Sequence, residues 1–342
     1  MLIRLPKFLS FLLILGTAVL SLSFIPDRKT AGYTIYNDQV VYIHIPSYSS
    51  FEQVYQRLHA AGLVKNKAYF SRLANQLGYK KFPMRSGRFA LRPGMSYRNI
   101  ILHLKEGKQT PVKVVLHNER RLVDVANKIS RFIEPSGTAL LSAFRDPALL
   151  KELGYTKEDV MTLFLPNTYE VYWNSSPEQF LRRMKKEHDR FWNINDRNYK
   201  AGKLRLSKSE IYILASIIEK ETLRNDEKSR MAGVFFNRLQ KNMRLQADPT
   251  AVFARQDFGA RQVTEYHTEY DSPYNTYRYA GLPPGPICLP SIVSIDAVLD
   301  LEKHDYVYFC AKGDGSGYHV FAKTLKEHYK NAAQYRKNKG MK

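Results

Sequence analysis

The longest apolar run comes first: Phe8 to Ile25, FLSFLLILGTAVLSLSFI, holds 18 residues without a charge. As a helix rising about 1.5 Å per residue it would reach about 27 Å, nearly the hydrocarbon thickness of a bilayer. Arg4, Lys7 and the amino terminus precede it and Arg28 and Lys29 follow, a bias that points to a cytoplasmic N-terminus. The pattern predicts a membrane anchor over residues 1–30, spanning about 8–25. Ser21-Leu22-Ser23 also offers a small-x-small site for cleavage as a signal peptide. Either reading exports the rest of the chain, in which no second run is long and apolar enough to span.

Beyond the anchor the pattern shortens to element length. VVYIHIP, Val40 to Pro46, is β-branched and aromatic and reads as a strand. Ser49-Ser50-Phe51-Glu52-Gln53 then supplies an N-cap with acid or amide in the first turn, and Phe51, Val54, Tyr55, Leu58 and Ala61 recur at helical spacing. A second amphipathic segment covers Lys65 to Leu77, GRFALRPG gives a strand and a turn, and Tyr97 to Leu104 is a helix stopped by Gly107. These elements form a compact α/β unit over residues 38–109. VKVVLHN and RRLVDVANKIS, a strand and a helix, open a larger region over 110–342. There Leu181, Met184, His188 and Phe191 stripe a helix whose other side is basic and solvated. DYVYFCAK and GYHVFAK flank GDGSG as two strands of a hairpin, since no helix N-terminus follows those glycines to hold a phosphate. The fold class expected is α+β: an anchor, a small α/β subdomain and a larger mixed domain.

One helix ends in charge. Ser207-Lys208-Ser209-Glu210 is a capping box, and IYILASIIEKET follows it with an apolar body and two terminal carboxylates. At about 100° per residue Leu214, Ala215 and Ile218 cluster near Ile211, and Glu219 and Glu221 flank that stripe about 160° apart. They cannot form a close acid–nucleophile pair. Glu219, beside Ala215 and near Ser216, has small neighbours and apolar surface, an environment expected to raise its pKa and suit it to donate a proton. The opposing reading of this geometry is that Glu219 and Glu221 merely pair with Lys220, Arg224 or the next helix. Further on, MRLQADPT, SPYNTY and GLPPGPI are loops rich in aromatic, amide and proline residues, suited to the faces and hydroxyls of a saccharide.

Charge and composition narrow the class. The chain has 342 residues, 53 Lys and Arg against 32 Asp and Glu, and a formal charge of +21. With 44% hydrophobic residues it can build a core, and its length suggests two folded domains. Two cysteines, Cys288 and Cys310, rule out a disulfide-dense scaffold and match no zinc or redox spacing; they read as two partly buried thiols, with a single bridge left open. None of the nine histidines stands in a metal-binding spacing, so no metal or other cofactor is expected. The basic residues are spread along the chain without a nucleic-acid module, and attraction to an anionic membrane surface explains them without nucleic acid.

ASIIEKET (Ala215 to Thr222), FFNRL, MRLQADPT, SPYNTY, GLPPGPI with Pro290-Ser291, YVYF and HVF occur in the order seen in the YceG-like family of endolytic murein transglycosylases. The chain resembles that family from about residue 40 to 330, and the G-x-(F/Y)-x-L-x-x-G-M-S-Y character of residues 87–97 resembles a LysM-like subdomain. One departure is MTLFLPNTY, where many members carry an E-G pair and F-P-D-T-Y; Met161, Thr162 and Asn167 replace the expected residues.

The resemblance implies a lytic transglycosylase that cuts the bond between N-acetylmuramic acid and N-acetylglucosamine in nascent glycan strands, leaves 1,6-anhydro ends and so terminates elongation. It implies Glu219 as the catalytic residue, acting first as acid and then as base, since the sugar's own C6 hydroxyl replaces water and no second carboxylate is needed. Gln246, Asp248, Tyr274, Asn275 and Tyr277 are the candidates for holding glycan. Expected partners are peptidoglycan strands, the inner membrane and cell-wall synthases, with the catalytic domain on the periplasmic side of the cytoplasmic membrane. The alternative is an exported, non-catalytic scaffold that binds cell wall.

Overall fold

The computed structural model describes residues 39–340. The stretch 8–25 expected to enter the membrane lies outside them. Among the described residues no helix is long and apolar enough to cross a membrane.

The first unit is built as its pattern foretold. Strand β1 (Val41–Ile45) pairs antiparallel with β2 (Gly87–Leu91), and α1 (Phe51–Ala60), α2 (Lys67–Gln76) and α3 (Tyr97–Glu106) cover the ladder. Ser50 caps α1 in a reciprocal box with Gln53, and Gly107 ends α3. Ile45, Leu58, Phe70, Phe89, Ile100 and Leu104 are fully buried in one apolar cluster separate from that of the rest of the chain.

The second cluster starts with β3 (Val112–Leu116), α4 (Leu122–Ile129), α5 (Gly137–Ala143) and α6 (Pro147–Leu153). Strand β4 (Asn167–Val171) returns to pair antiparallel with β3, and it is built from the LPNTY segment that departs from the family pattern. Helix α7 (Pro177–Trp192) buries Leu181, Met184 and His188 as expected, and α8 (Arg197–Leu204) leads into α9 (Lys208–Glu221). Then follow α10 (Lys228–Gln240), α11 (Asp248–Arg255), α12 (Glu265–Thr268) and α13 (Ile292–Leu299). The hairpin β5 (Tyr308–Ala311) and β6 (His319–Ala322) precedes α14 (Leu325–Asn338). Among the described residues the three sheets are two-stranded and helices supply most of the core, so the α+β class holds.

Helix α9 is the axis of this core. Every residue from Ile211 to Ile218 is buried, because α8, α10, α11 and α13 pack around it. A helix apolar on all sides belongs in an interior, so the single stripe expected from the sequence understates its burial. Close packing fixes Gly233 on α10, where a Cβ would stand 2.4 Å from the Glu302 carbonyl oxygen. Cys288 is buried, Cys310 is half-buried, and both are free thiols.

Hydrogen bonds join the two units beside their covalent link. Ser47 donates from its backbone N–H and its hydroxyl to Glu134, each at 2.7 Å, and Asn174 donates to Ser86 at 2.7 Å. A cleft of about 540 Å³ lies at this junction between Lys108, Tyr172 and Arg183; none of the candidate site residues lines it.

Candidate functional site

The last turn of α9 presents its two glutamates to different surroundings. Glu219 points into packed protein. Its Oε2 accepts from Lys228 Nζ at 3.0 Å, Ser291 Oγ at 2.6 Å, Ser291 N–H at 3.3 Å and Ser294 Oγ at 2.5 Å. Lys228 starts α10 and is 5% exposed, and the two serines form the N-terminus of α13. Burial pushes the Glu219 carboxyl up, but the two hydroxyls, the Lys228 hydrogen bond and its charge outweigh that, and its pKa falls below the usual carboxylate value. The expectation of a raised pKa at Glu219 is therefore overturned. Nor do its small neighbours leave room for a ligand: the Ser216 hydroxyl accepts the Ile287 N–H at 3.1 Å, which seats the GLPPGPI loop against the helix.

Glu221, on the other side, carries the property expected of Glu219. Burial first, and then the negative charge of Asp248, push its pKa up to about 8 against the opposing pull of Arg238. Its carboxyl makes no hydrogen bond or ion pair with another described residue, and it keeps a partial opening to solvent. At neutral pH this carboxyl holds its proton while Glu219 is ionised.

The loops on that side are fastened by the motifs that made the sequence distinctive. Arg238, in FFNRL, donates to the carbonyls of Leu245 at 2.7 Å and Val307 at 2.6 Å, while Asn237 donates to those of His304 at 2.7 Å and Tyr306 at 3.0 Å. MRLQADPT and SPYNTY are joined to each other. Gln246 N–H donates to the Thr276 carbonyl at 3.1 Å, Ala247 N–H to Thr276 Oγ1 at 3.0 Å, and the hydroxyls of Thr250 and Thr276 meet at 2.8 Å. Gln246 itself is exposed and has a φ of +47°, a left-handed conformation uncommon outside glycine. The Tyr277 hydroxyl donates to Asp248 Oδ1 at 2.5 Å, and burial with that carboxylate raises the Tyr277 pKa.

Of the glycan-holding candidates, Asp248 and Tyr277 are thus brought together beside Glu221, and Gln246 stands exposed on the same loop. Tyr274 is half-buried, its ring 4.9 Å from that of Phe253. Its hydroxyl lies against Gly285, where a Cβ would also stand 2.3 Å from the Glu158 carbonyl oxygen. Asn275 is a correction: it is 0% exposed, and its amide donates to the carbonyls of His267, Thr268 and Tyr270, so it shapes the loop and cannot reach glycan. Sequence reasoning also missed the Glu227–His319 pair. His319 donates its backbone N–H to Glu227 Oε1, and its Nδ1 lies 2.9 Å from Oε2, which holds the hairpin to the segment after α9. No group of acidic, histidine or cysteine side chains among the described residues is arranged to hold a metal ion.

A proton-bearing carboxyl at the end of a buried helix, facing a carboxylate and a tyrosine on two joined loops, is an arrangement of the acid–base class. The chain belongs to the YceG-like family, whose pattern matches residues 43–334. It is 30% identical over 318 residues to the endolytic murein transglycosylase of Bacillus subtilis strain 168, covering 88% of this chain and 86% of that one. The protein of the same name from Streptococcus pneumoniae strain R6 is 26% identical over 326 residues, which are 86% of this chain and 58% of that longer one. Among solved structures, a YceG-like protein of Listeria monocytogenes superposes with a TM-score of 0.56 at 30% identity, over 86% of this chain and 99% of that one.

Proposed function

We propose that the chain is an endolytic lytic transglycosylase of peptidoglycan, with Glu221 in place of Glu219 as the residue that moves the proton. The carrying observation is the contrast in surroundings: Lys228, Ser291 and Ser294 donate to Glu219, whereas no described residue donates to Glu221, which burial and the Asp248 charge surround. A general acid must hold a proton at working pH, and Glu221 does so up to about 8 while Glu219 is tied down as an anion. In the reaction the Glu221 proton passes to the oxygen bridging N-acetylmuramic acid and N-acetylglucosamine, and the C1–O bond breaks. The resulting carboxylate takes the proton of the muramyl C6 hydroxyl as that oxygen bonds to C1. The 1,6-anhydro ring closes and Glu221 regains its starting state. Asp248 supplies negative charge beside the positive character that develops at C1, and Gln246 and Tyr277 offer polar groups for the sugar. The relatives named endolytic murein transglycosylase support the substrate and the internal cut.

The finer organisation belongs to the same proposal. Residues 8–25 anchor the chain in the cytoplasmic membrane, residues 38–109 form a LysM-like unit and residues 110–342 the catalytic domain on the outer side, within reach of the synthases that make nascent strands. The separate apolar cluster of the first unit supports that division.

The test is mass spectrometry of uncrosslinked glycan strands after incubation with the full chain and with its Glu221→Gln and Glu219→Gln variants. New 1,6-anhydro ends that vanish with Glu221→Gln and persist with Glu219→Gln are the expected result. The reverse pattern returns the role to Glu219, ends carrying added water would make the reaction a hydrolysis, and intact strands retained by the protein would make it a scaffold.

A further inference from the structure

The first unit leaves two aromatic rings outside its core, and they share one tip. Tyr48 is 79% exposed and Phe82 is 74% exposed, although their neighbours Tyr79 and Met84 are buried. The loops that carry them are joined, since Met84 N–H donates to the Ser49 carbonyl at 2.9 Å. Lys80, Lys81, Phe82 and Pro83 are consecutive exposed residues at this tip. Lys80 reaches back to the Ser71 hydroxyl at 2.6 Å and lies 4.4 Å from the centre of the Phe51 ring. Lys81 spends its backbone N–H on the Tyr79 carbonyl at 2.8 Å, and its exposed ammonium makes no hydrogen bond or ion pair with another described residue.

The charge around the tip is predominantly basic. Residues 38–109 hold twelve Lys and Arg against three Asp and Glu, and no acidic residue occurs between 53 and 105. Glu52 is paired with Lys67 at 2.7 Å, and Glu134 of the second unit is occupied by Ser47. Exposed aromatic rings flanked by exposed lysines are the composition that seats a protein at a lipid–water interface, with the rings at headgroup depth and the ammonium groups on anionic lipid. Chain length allows it. Fifteen residues separate Ile25 from Val41, and at about 3.3 Å each they span up to about 50 Å.

We propose that the tip formed by residues 46–50 and 79–85 docks on the anionic lipid surface of the membrane that residues 8–25 enter. The proposal rests on the anchor reading of 8–25 and is independent of which glutamate carries the proton. Docking would hold the first unit against the bilayer and fix the height at which the second unit meets a strand.

The test uses the full chain in vesicles, with Phe82→Trp compared against the parent so that Trp173 and Trp192 are common to both. Vesicles contain brominated phosphatidylcholine, alone or with about one quarter phosphatidylglycerol. In anionic vesicles the added emission should be quenched about twofold or more, and Lys80→Gln with Lys81→Gln should return it to the level in neutral vesicles. Absence of quenching in protein that floats with anionic vesicles overturns the docking. Protein that does not float removes the anchor and the proposal with it. Quenching that is equal in neutral vesicles, or that soluble chitooligosaccharide relieves, also overturns it, the second outcome assigning the tip to saccharide.

Discussion

The two sides of the α9 terminus carry the same side chain two residues apart, and they hold it in opposite states. On the side of α10 and α13, one ammonium and two hydroxyls converge on Glu219, which is charged and immobilised. On the side of the joined loops, Glu221 meets burial and the Asp248 carboxylate, and it keeps its proton. The difference teaches that a glutamate against a buried helix becomes an acid only where nothing donates to it. Burial alone acts on both residues in the same direction, and hydrogen-bond donors decide the sign.

The contrast breaks most sharply if the two glutamates are exchanged in importance. Glu221→Gln should lower the rate of anhydro-end formation by about 10³-fold, within the range of a lost general acid, with the folded protein retained; strand cleavage followed by mass spectrometry reads it. Next is the anchored side. Lys228→Met leaves the Glu219 anion without its buried partner and should cost about 3 kcal/mol, the lower end for broken buried pairs because Glu219 is itself 19% exposed. Urea unfolding measures this, and an unchanged midpoint would show that the tie is idle. Asp248→Asn removes the charge that helps protonate Glu221. The alkaline limb of the pH–rate profile should move from near 8 to lower pH, with several-fold less activity at pH 8 for a shift of about one unit; a limb that moves upward would contradict the pairing. The last effect is on stability. Glu221 binds its proton more tightly folded than unfolded, so its contribution is fully present below the unfolded pKa near 4.5 and is lost as pH rises to about 8. Glu221→Gln should flatten that decline in a series of melting curves, and an unchanged slope would place the titration elsewhere.

Much of the fold was legible because it is written locally. The Ser50–Gln53 and Ser207–Glu210 boxes start α1 and α9 where expected, and Gly107 ends α3. The glycine turn 313–317 joins β5 to β6. The ladder of β3 with β4 was not legible, since its strands lie about fifty residues apart and the LPNTY stretch carries no strong strand pattern. The site was legible to within one turn of one helix. A helical wheel places Glu219 and Glu221 on opposite sides, but it cannot reveal that Ser291 and Ser294, more than seventy residues later, arrive on the Glu219 side. For the same reason Asn275 read as a ligand-binding amide, although its donors are spent on carbonyls five to eight residues earlier in its own loop.

The tie at Glu219 also bears on the order in which the molecule assembles. It closes chain segments of 72 and 75 residues, whereas the β5–β6 hairpin closes over a short turn. Contacts so distant along the chain cost more loop-closure entropy and form after local ones. The short hairpin and the capped helices therefore take shape before the carboxylate knot closes. A contact made after the rate-limiting step retards unfolding without hastening folding. Glu219 then acts as a latch on the time the folded chain survives.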